Sequence, residues 1–256
     1  MRNLNKMKLT PTLSSPKINS HILAIDIGGT KIGYGLVPIR KNSVSFSTPI
    51  LFKGITNTIK GKEALAEKTA EILAICQKFA NKNHIKILPY IAVASPGKFI
   101  GNKKEIIAPN TAINLELFSG EFANLNLIEL LTESIPNSFQ IKVINDAVAQ
   151  MVGGINLITN KSNLLINKKI CYIGPGTGLG GGFCEVNSKQ IIKTKTDGHI
   201  FDLKILDSNN QQVKAEDVFC GTAFERITNY SPYEVEHDKS LFIKMSPMIE
   251  LMGEYL

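Results

Sequence analysis

A glycine-rich segment constrains the fold of this 256-residue chain more than any other feature. Six glycines fall between Gly174 and Gly182, directly after the short apolar run Ile170–Ile173. Glycine loses more backbone entropy on folding than any other residue, so this density is favoured where backbone N–H groups must approach an anion closely. The segment predicts a strand that ends in a phosphate-binding loop. A glycine-rich hairpin with only a turning role is the alternative.

The same glycines match the dinucleotide-binding pattern G-x-G-x-x-G at Gly176, Gly178 and Gly181. That fingerprint requires a helix to begin at the glycines. The following residues, Phe183–Thr194, alternate in strand fashion around an Asn-Ser pair and have no helical period. We therefore expect the glycines to lie between two strands, which disfavours a nicotinamide-binding fold.

The composition limits the class of protein. With 43% apolar residues the chain can bury a substantial core. It contains no run of about 20 apolar residues and no secretory signal, so we expect a cytoplasmic protein without a membrane span. Its four cysteines are scattered and form no Cys-x-x-Cys pair, which predicts buried thiols in a reducing compartment.

The net charge of +7 raises the question of a nucleic-acid partner. The lysines and arginines are spread through the chain and do not cluster with aromatic residues, and an anionic substrate or the general Lys-rich composition explains the charge equally well. We therefore expect no nucleic-acid partner. Residues 1–20 hold four basic and no acidic residues and are rich in Ser, Thr, Pro and Asn, which predicts a disordered basic tail.

A second glycine turn follows the first predicted strand. The apolar run His21–Ile27 contains one carboxylate, Asp26, and leads through Gly28–Lys31 into a returning strand, Ile32–Val37. An Asp that only starts the turn is one explanation. Because an unpaired charge inside an apolar strand is costly, a bound Mg²⁺ is the other, with Asp26 contributing directly or through water.

The rest of the pattern alternates helices with strands, which predicts an α/β fold. Apolar residues at three- and four-residue spacing indicate an amphipathic helix over Lys62–Phe79. Strands are expected at Val44–Phe52, Tyr90–Ala94 and Ile141–Ile144, and further helices near Leu125–Thr132 and from Asn145–Asp146 to about Gly153.

Three motifs resemble those of the bacterial glucokinases in order and spacing. They are Asp-Ile-Gly-Gly-Thr-Lys at 26–31, Asn-Asp-Ala at 145–147 and Gly-Pro-Gly-Thr-Gly-Leu-Gly at 174–180. The resemblance covers residues 20–255 and implies the two-domain actin-like ATPase fold, which is ribonuclease H-like and also found in hexokinases. The chain lacks the Cys-rich zinc motif of the related repressor and sugar-kinase family, so it is more similar to the glucokinase branch.

The resemblance implies one α/β domain over residues 21–155 and a second over residues 156–256. It implies ATP-dependent phosphorylation of glucose or a similar hexose with Mg²⁺, feeding glycolysis, and a homodimer. In the family a further strand, a glycine pair and a closing helix follow the region of Leu241–Met252, so the resemblance also implies a truncated second domain. The alternative is a catalytically impaired descendant that binds a sugar or a regulatory partner.

The family's functional residues map onto this sequence position by position. Asp146 would be the general base that takes the proton from the sugar 6-hydroxyl, with helix capping as its competing structural role, and Asp26 would serve the metal. Sugar hydroxyls would be bound by Asn110, Asn145, Thr196, Asp197, His199 and Glu216. The nucleotide would be bound by Gly28, Gly29, Thr30, Lys31, Gly174, Gly176, Thr177, Gly178, Gly180 and Gly221.

One stretch departs from the family pattern. The family has Glu-x-Gly-His where this chain has Thr196, Asp197, Gly198 and His199. Thr196 stands where the family's Glu binds the sugar, and the carboxylate of Asp197 comes one position later. We therefore expect weaker and less selective glucose binding.

Overall fold

The computed structural model describes residues 20–28, 31–40, 43–44, 50–57, 62–100, 105–107, 125–159, 162–176, 178–187, 192–194, 200, 203–206 and 210–254. Within them the fold is mixed α/β. The helices are α1 (Lys62–Lys82), α2 (Leu127–Ser134), α3 (Asp146–Thr159), α4 (Glu216–Phe219), α5 (Gly221–Thr228), α6 (Pro232–His237) and α7 (Lys239–Glu254). The strands are β1 (Ser20–Ile27), β2 (Lys31–Arg40), β3 (Ser43–Val44), β4 (Phe52–Asn57), β5 (Lys86–Ser95), β6 (Lys98–Ile100), β7 (Glu105–Ile107), β8 (Leu125–Asn126), β9 (Gln140–Asn145), β10 (Lys168–Pro175), β11 (Leu179–Val186), β12 (Ile192–Thr194), β13 (Lys204–Leu206) and β14 (Gln212–Lys214).

The largest sheet has six strands in the order β3-β2-β1-β5-β9, with β4 also paired to β2. β2 runs antiparallel to β1 and β4, whereas β1, β5 and β9 are parallel. Side chains alternate between the two faces of a strand, and in β1 the buried residues are His21, Leu23, Ile25 and Ile27. This face packs against α1 and α2 to form the main core.

α1 forms because its buried residues recur every three or four positions. Leu65, Thr69, Ile72 and Cys76 are buried on one side, as the sequence pattern predicts. The helix continues one turn beyond the predicted end and stops near His84, whose φ of 54° lies in the left-handed region.

The prediction of one strand over Val44–Phe52 is wrong. Val44 ends β3, and Ile50 and Leu51 lie outside any strand. In the described part of the chain the following strand is β4, which pairs antiparallel with β2, Phe52 opposite Leu36 and Asn57 opposite Lys31. β4 carries Lys, Gly, Thr and Asn among its six residues, so its apolar pattern is weak. Its strand character comes from pairing with β2.

The glycine-rich segment lies where two antiparallel strands meet, as predicted. β10 and β11 pair antiparallel, β12 extends this sheet, and no helix begins at Gly181, which lies within β11. The dinucleotide-binding alternative is therefore excluded. α3 packs its buried residues Val148, Met151 and Ile155 against Cys184 and Val186 of β11.

Three of the four cysteines, Cys76, Cys184 and Cys220, are buried, but Cys171 is exposed. Cys171 alternates with Ile170 and Tyr172 along β10, and those two neighbours face α3. Among the described helices, none is long and apolar enough to cross a membrane.

Candidate functional site

The parallel strands of the large sheet bring polar side chains to one edge. Asp26 of β1 is registered with Ala94 of β5, and Ser95 of β5 is registered with Asn145 of β9. Ligands bind in open α/β sheets outside the carboxyl ends of the strands. Asp26 and the Asn145–Asp146 pair therefore lie where a ligand site is expected.

Asn145, and not Asp146, caps α3. Asn145 Oδ1 accepts a hydrogen bond from the backbone N–H of Val148 at 3.1 Å, and Nδ2 donates to the carbonyl of Gly97 at 3.0 Å. Asn145 is buried, so both ends of its amide have structural partners. A role for Asn145 in sugar binding remains a prediction.

Asp146 is the first residue of α3. Because Asn145 caps the helix, the Asp146 carboxylate is not needed as the cap. Its Oδ1 accepts a hydrogen bond from the backbone N–H of Ala147 at 2.8 Å. Burial raises the pKa of Asp146, the Ala147 N–H opposes this shift, and the negative charge of Asp26 raises the pKa further. A carboxyl group with a raised pKa in a cleft is typical of general acid–base sites.

Asp26 is exposed at its strand end, although its sequence position predicts a charge inside an apolar strand. The protein around it still desolvates the carboxylate enough to raise its pKa. The carboxylate thus faces solvent on one side and protein on the other, and a cation could reach it.

Both carboxylates line one cavity of about 720 Å³. Its floor is the face of the large sheet opposite the core, where small residues predominate. Besides Asp26 and Asp146, the lining includes Ala24, Gly33, Gly35, Ala92, Ala94, Lys142, Ile144 and Gln150. The cavity is open to a ligand of the size of a small molecule.

The first glycine turn begins with Gly28. Its N–H donates to the carbonyl of Lys31 at 2.9 Å, and a Cβ at Gly28 would lie 2.8 Å from that oxygen. Only glycine fits there without a shift of the turn. Lys31 is exposed at the start of β2, and Gly29 and Thr30 lie outside the described residues.

The second glycine loop closes through a short backbone contact, in which the N–H of Gly176 donates to the carbonyl of Gly178 at 2.8 Å. Packing explains Gly174, Gly180 and Gly181, where an added Cβ would lie closer than 3.0 Å to Tyr172, Ala147 and Ile200, respectively. Gly176 differs, because it is exposed and a Cβ there would meet only Gly178 O at 3.8 Å. Packing alone does not require glycine at this position, which is accessible to a ligand.

The start of α3 lies against this second loop. A Cβ at Gly180 would approach Ala147 Cβ to 2.6 Å, so the absence of a side chain lets the helix and β11 come together. Ala147 follows Asp146 directly. The contact therefore holds the acidic end of α3 beside the glycines.

α4 and α5 also contact the second glycine loop. The N–H of Gly221 donates to the carbonyl of Gly176 at 2.7 Å, and a Cβ at Gly221 would lie 2.9 Å from that oxygen. Glu216 Oε1 accepts from the N–H of Leu179 at 3.1 Å. Glu216 thus contacts the glycine loop, and its sugar-binding role remains a prediction.

The remaining predicted site residues lie outside the described residues, and their roles stay predictions. They are Asn110, Thr177, Thr196, Asp197 and His199. Sequence reasoning did not single out Gly97, Gln150 or Tyr172. Residues two apart in a strand share a face, so the sequence could have shown that Tyr172 lies on the same face as Gly174.

No group of three or more His, Cys, Asp or Glu side chains in the described part of the chain could hold a metal ion. Mg²⁺ in phosphoryl-transfer sites is usually held by one or two carboxylates together with phosphates and water. Asp26, an exposed carboxylate beside Asp146, fits that requirement.

No family model matches the chain, and no curated protein matches it. Solved structures do. A ROK family protein from Streptococcus pneumoniae TIGR4, in complex with sucrose, superposes with a TM-score of 0.59 at 17% identity, over 91% of this chain and 72% of that one. A ROK family transcriptional regulator, a homolog of the E. coli MLC protein, has a TM-score of 0.59 at 11% identity, over 87% of this chain.

A protein from Cytophaga hutchinsonii, proposed to be a sugar kinase, has a TM-score of 0.52 at 16% identity, over 86% of this chain. The chain spans 51% of the regulator's length and 64% of the length of the Cytophaga protein. At such identities the likeness establishes the fold. The chain therefore has the actin-like ATPase fold that ROK family proteins and sugar kinases share, as its three motifs predict.

Proposed function

We propose that the chain is an ATP-dependent sugar kinase that phosphorylates a hexose, with glucose as the preferred acceptor. The proposal is supported by the fold, by sugar-kinase and sucrose-bound structures among those that share it, and by the three ordered motifs. The single observation that carries it is the contact between α3 and the second glycine loop. That contact puts a carboxylate of raised pKa next to a candidate phosphate site.

In this reaction Asp146 accepts the proton of the sugar hydroxyl as its oxygen attacks the γ-phosphorus of ATP. Backbone N–H groups of the two glycine loops hold and orient the phosphates, apart from those of Gly28 and Gly176, which already donate to the carbonyls of Lys31 and Gly178. Phosphoryl transfer depends mainly on such positioning and on charge stabilisation. Mg²⁺ brought with ATP would be held by Asp26 and would neutralise charge on the phosphates. The raised pKa of Asp146 makes its carboxylate a better proton acceptor than an ordinary aspartate.

A second candidate is a regulatory protein that binds a sugar without turnover. The observation in its favour is the superposition on a ROK family transcriptional regulator. The two candidates differ in one measurable respect, since both bind a sugar but only the kinase consumes ATP.

The test is a coupled assay for ADP release with ATP, Mg²⁺ and a panel of hexoses that includes glucose, mannose, fructose and galactose. We expect glucose to give the highest turnover. Asp146→Asn keeps the shape of the side chain and should lower kcat by about 10²- to 10⁴-fold. Glucose and ATP binding, measured by calorimetry, should weaken far less.

Asp217→Asn, at an exposed aspartate of α4, is the matched control and should leave kcat unchanged. Hexose binding without any ADP release would favour the regulatory candidate. Full turnover in Asp146→Asn would remove Asp146 from the role of base while leaving the kinase activity established.

A further inference from the structure

Tyr172 and Gln150 form a contact that the proposed function does not use. Tyr172 lies on β10, two residues before Gly174, and its hydroxyl donates a hydrogen bond to Gln150 Oε1 at 2.7 Å. Gln150 lies on α3, four residues after Asp146, which is about one helical turn. The contact joins the strand that leads into the second glycine loop to the helix that begins with the proposed base.

The Tyr172 ring also contacts the loop itself. A Cβ at Gly174 would lie 2.7 Å from Tyr172 Oη and 2.9 Å from Cε1, so the ring occupies the space beside Gly174. Tyr172 also packs against the apolar cluster between α3 and β11, which consists of Val148, Met151, Ile155, Cys184 and Val186. The ring is therefore in contact with the loop, with α3 and with β11.

Asp146 lies close enough to Tyr172 to act on it electrostatically. Burial raises the pKa of the phenol, and the negative charge of Asp146 raises it further. The hydroxyl consequently stays protonated at neutral pH and remains a hydrogen-bond donor. The phenol therefore lies close to the carboxylate of Asp146 as well as within hydrogen-bond distance of Gln150.

We propose that Tyr172 is a positioning residue, whose hydrogen bond to Gln150 sets the orientation of α3, and with it Asp146, relative to the second glycine loop. The effect on turnover rests on the proposed function, because the orientation of Asp146 affects catalysis only if Asp146 is the base. Gln150 is exposed, so the bond itself adds little to stability. Its value lies in geometry, since small displacements of a reacting group can cost about 100-fold in rate.

The kinetic test uses Tyr172→Phe and Gln150→Met, singly and together. Phe keeps the ring beside Gly174, and Met keeps the length of the side chain, so each change removes mainly the hydrogen bond. We expect each single variant to lower kcat by about 5- to 10-fold, with KM for ATP and hexose altered less than about twofold. The double variant should be no slower than either single one, because both remove the same contact.

Tyr90→Phe, at an exposed tyrosine of β5, is the matched control and should leave kcat and KM unchanged. Thermal unfolding should occur at nearly the same temperature in the unaltered chain and in all four variants, which separates positioning from a loss of stability. In an active enzyme, unchanged kcat in Tyr172→Phe would overturn the proposal. Fully multiplicative losses in the double variant would overturn it as well, since they would mean that the two residues act independently.

A second measurement needs no turnover. The difference in absorbance at 295 nm between each protein and its Tyr172→Phe counterpart, followed against pH, reports the pKa of Tyr172. Asp146→Asn should lower this pKa, and the size of that response should shrink in a Gln150→Met background if the hydrogen bond fixes the distance. An equal response in both backgrounds would overturn the proposal. A chain that phosphorylates no hexose yet shows the reduced response would overturn the proposed function and support the positioning role.

Discussion

The close contact between Gly180 and Ala147 allows the architecture of the site to be tested directly. A Cβ at Gly180 would lie 2.6 Å from Ala147 Cβ, a separation that packed side chains do not tolerate, so Gly180→Ala must push β11 and α3 apart. Overpacking of this kind typically costs about 1 to 3 kcal/mol, and we expect the free energy of unfolding to fall by that amount. Turnover should fall as well, because Asp146 moves with the helix.

Ala147→Gly is the complementary change. It removes the Cβ that the new side chain would meet and leaves Ala147 Cα at 3.8 Å, an ordinary van der Waals distance. On its own, Ala147→Gly should cost up to about 1 kcal/mol because glycine disfavours a helix. The double variant should therefore be about as stable as Ala147→Gly alone, and more active than Gly180→Ala.

Stability is measured by urea denaturation followed by circular dichroism, since the chain contains no tryptophan for a fluorescence probe. Turnover is measured by the coupled assay. If Gly180→Ala destabilises the chain equally with and without Ala147→Gly, the strain arises elsewhere than at Ala147. If it destabilises neither background, the helix does not approach the loop as closely as the structure shows, and the argument for a base beside the phosphate site fails.

Two further changes test local features. Gly154 is exposed on α3 with nothing within 4 Å of an added Cβ, so Gly154→Ala should raise the free energy of unfolding by about 0.5 to 1 kcal/mol in the same denaturation experiment. His21 is buried, its Nδ1 has no hydrogen-bond partner among the described residues, and burial lowers its pKa below the ordinary 6.5. Stability should therefore be complete above pH 6.5 and fall as the pH drops towards the lowered value, because the unfolded chain takes up the proton first. His21→Leu should flatten this slope in denaturation curves between pH 7 and 5, and an unchanged slope would assign it to another group.

Local patterns in the sequence predicted much of the fold. The apolar run before a Gly-Gly turn predicted β1 and the returning strand β2, and the three- and four-residue spacing predicted α1. The strand-like residues after the second set of glycines predicted that these glycines lie between two strands. The cap at the start of α3 was also predictable, because Asn145 follows a strand and precedes a helical run. Each of these features depends on residues close together in the chain.

Features that depend on distant residues were not predictable in the same way. β4 has a weak apolar pattern and is a strand because β2 lies beside it. The contact of Gly180 with Ala147 joins segments far apart in sequence, and so does the hydrogen bond from Leu179 to Glu216. A glycine count reveals that close approach occurs, but it does not reveal which partner approaches.

The pair Asp26 and Asp146 offers a test of the metal assignment that needs no turnover. Burial raises the pKa of both carboxyl groups, and the charge of Asp26 raises the pKa of Asp146 further. Without Mg²⁺, Asp26→Asn removes that negative charge, so the pKa of Asp146 should fall. The shift can be followed by carbon NMR of protein labelled at the aspartate carboxyl carbons, titrated against pH, with Asp146→Asn used to assign the signal.

Magnesium should then affect the pKa of Asp146 strongly in the unaltered chain and only weakly in the Asp26→Asn variant. An ion held by Asp26 replaces a nearby negative charge with a net positive one, so added Mg²⁺ should lower the pKa of Asp146 in the unaltered chain. In the Asp26→Asn variant the ion loses its carboxylate ligand, and most of this response should disappear. Asp217→Asn, remote from the sheet edge in sequence and exposed, should keep the full response. A response of equal size in the unaltered chain and in Asp26→Asn would mean that residues other than Asp26 hold the ion, and Asp26 would then have only the structural role of starting the first glycine turn.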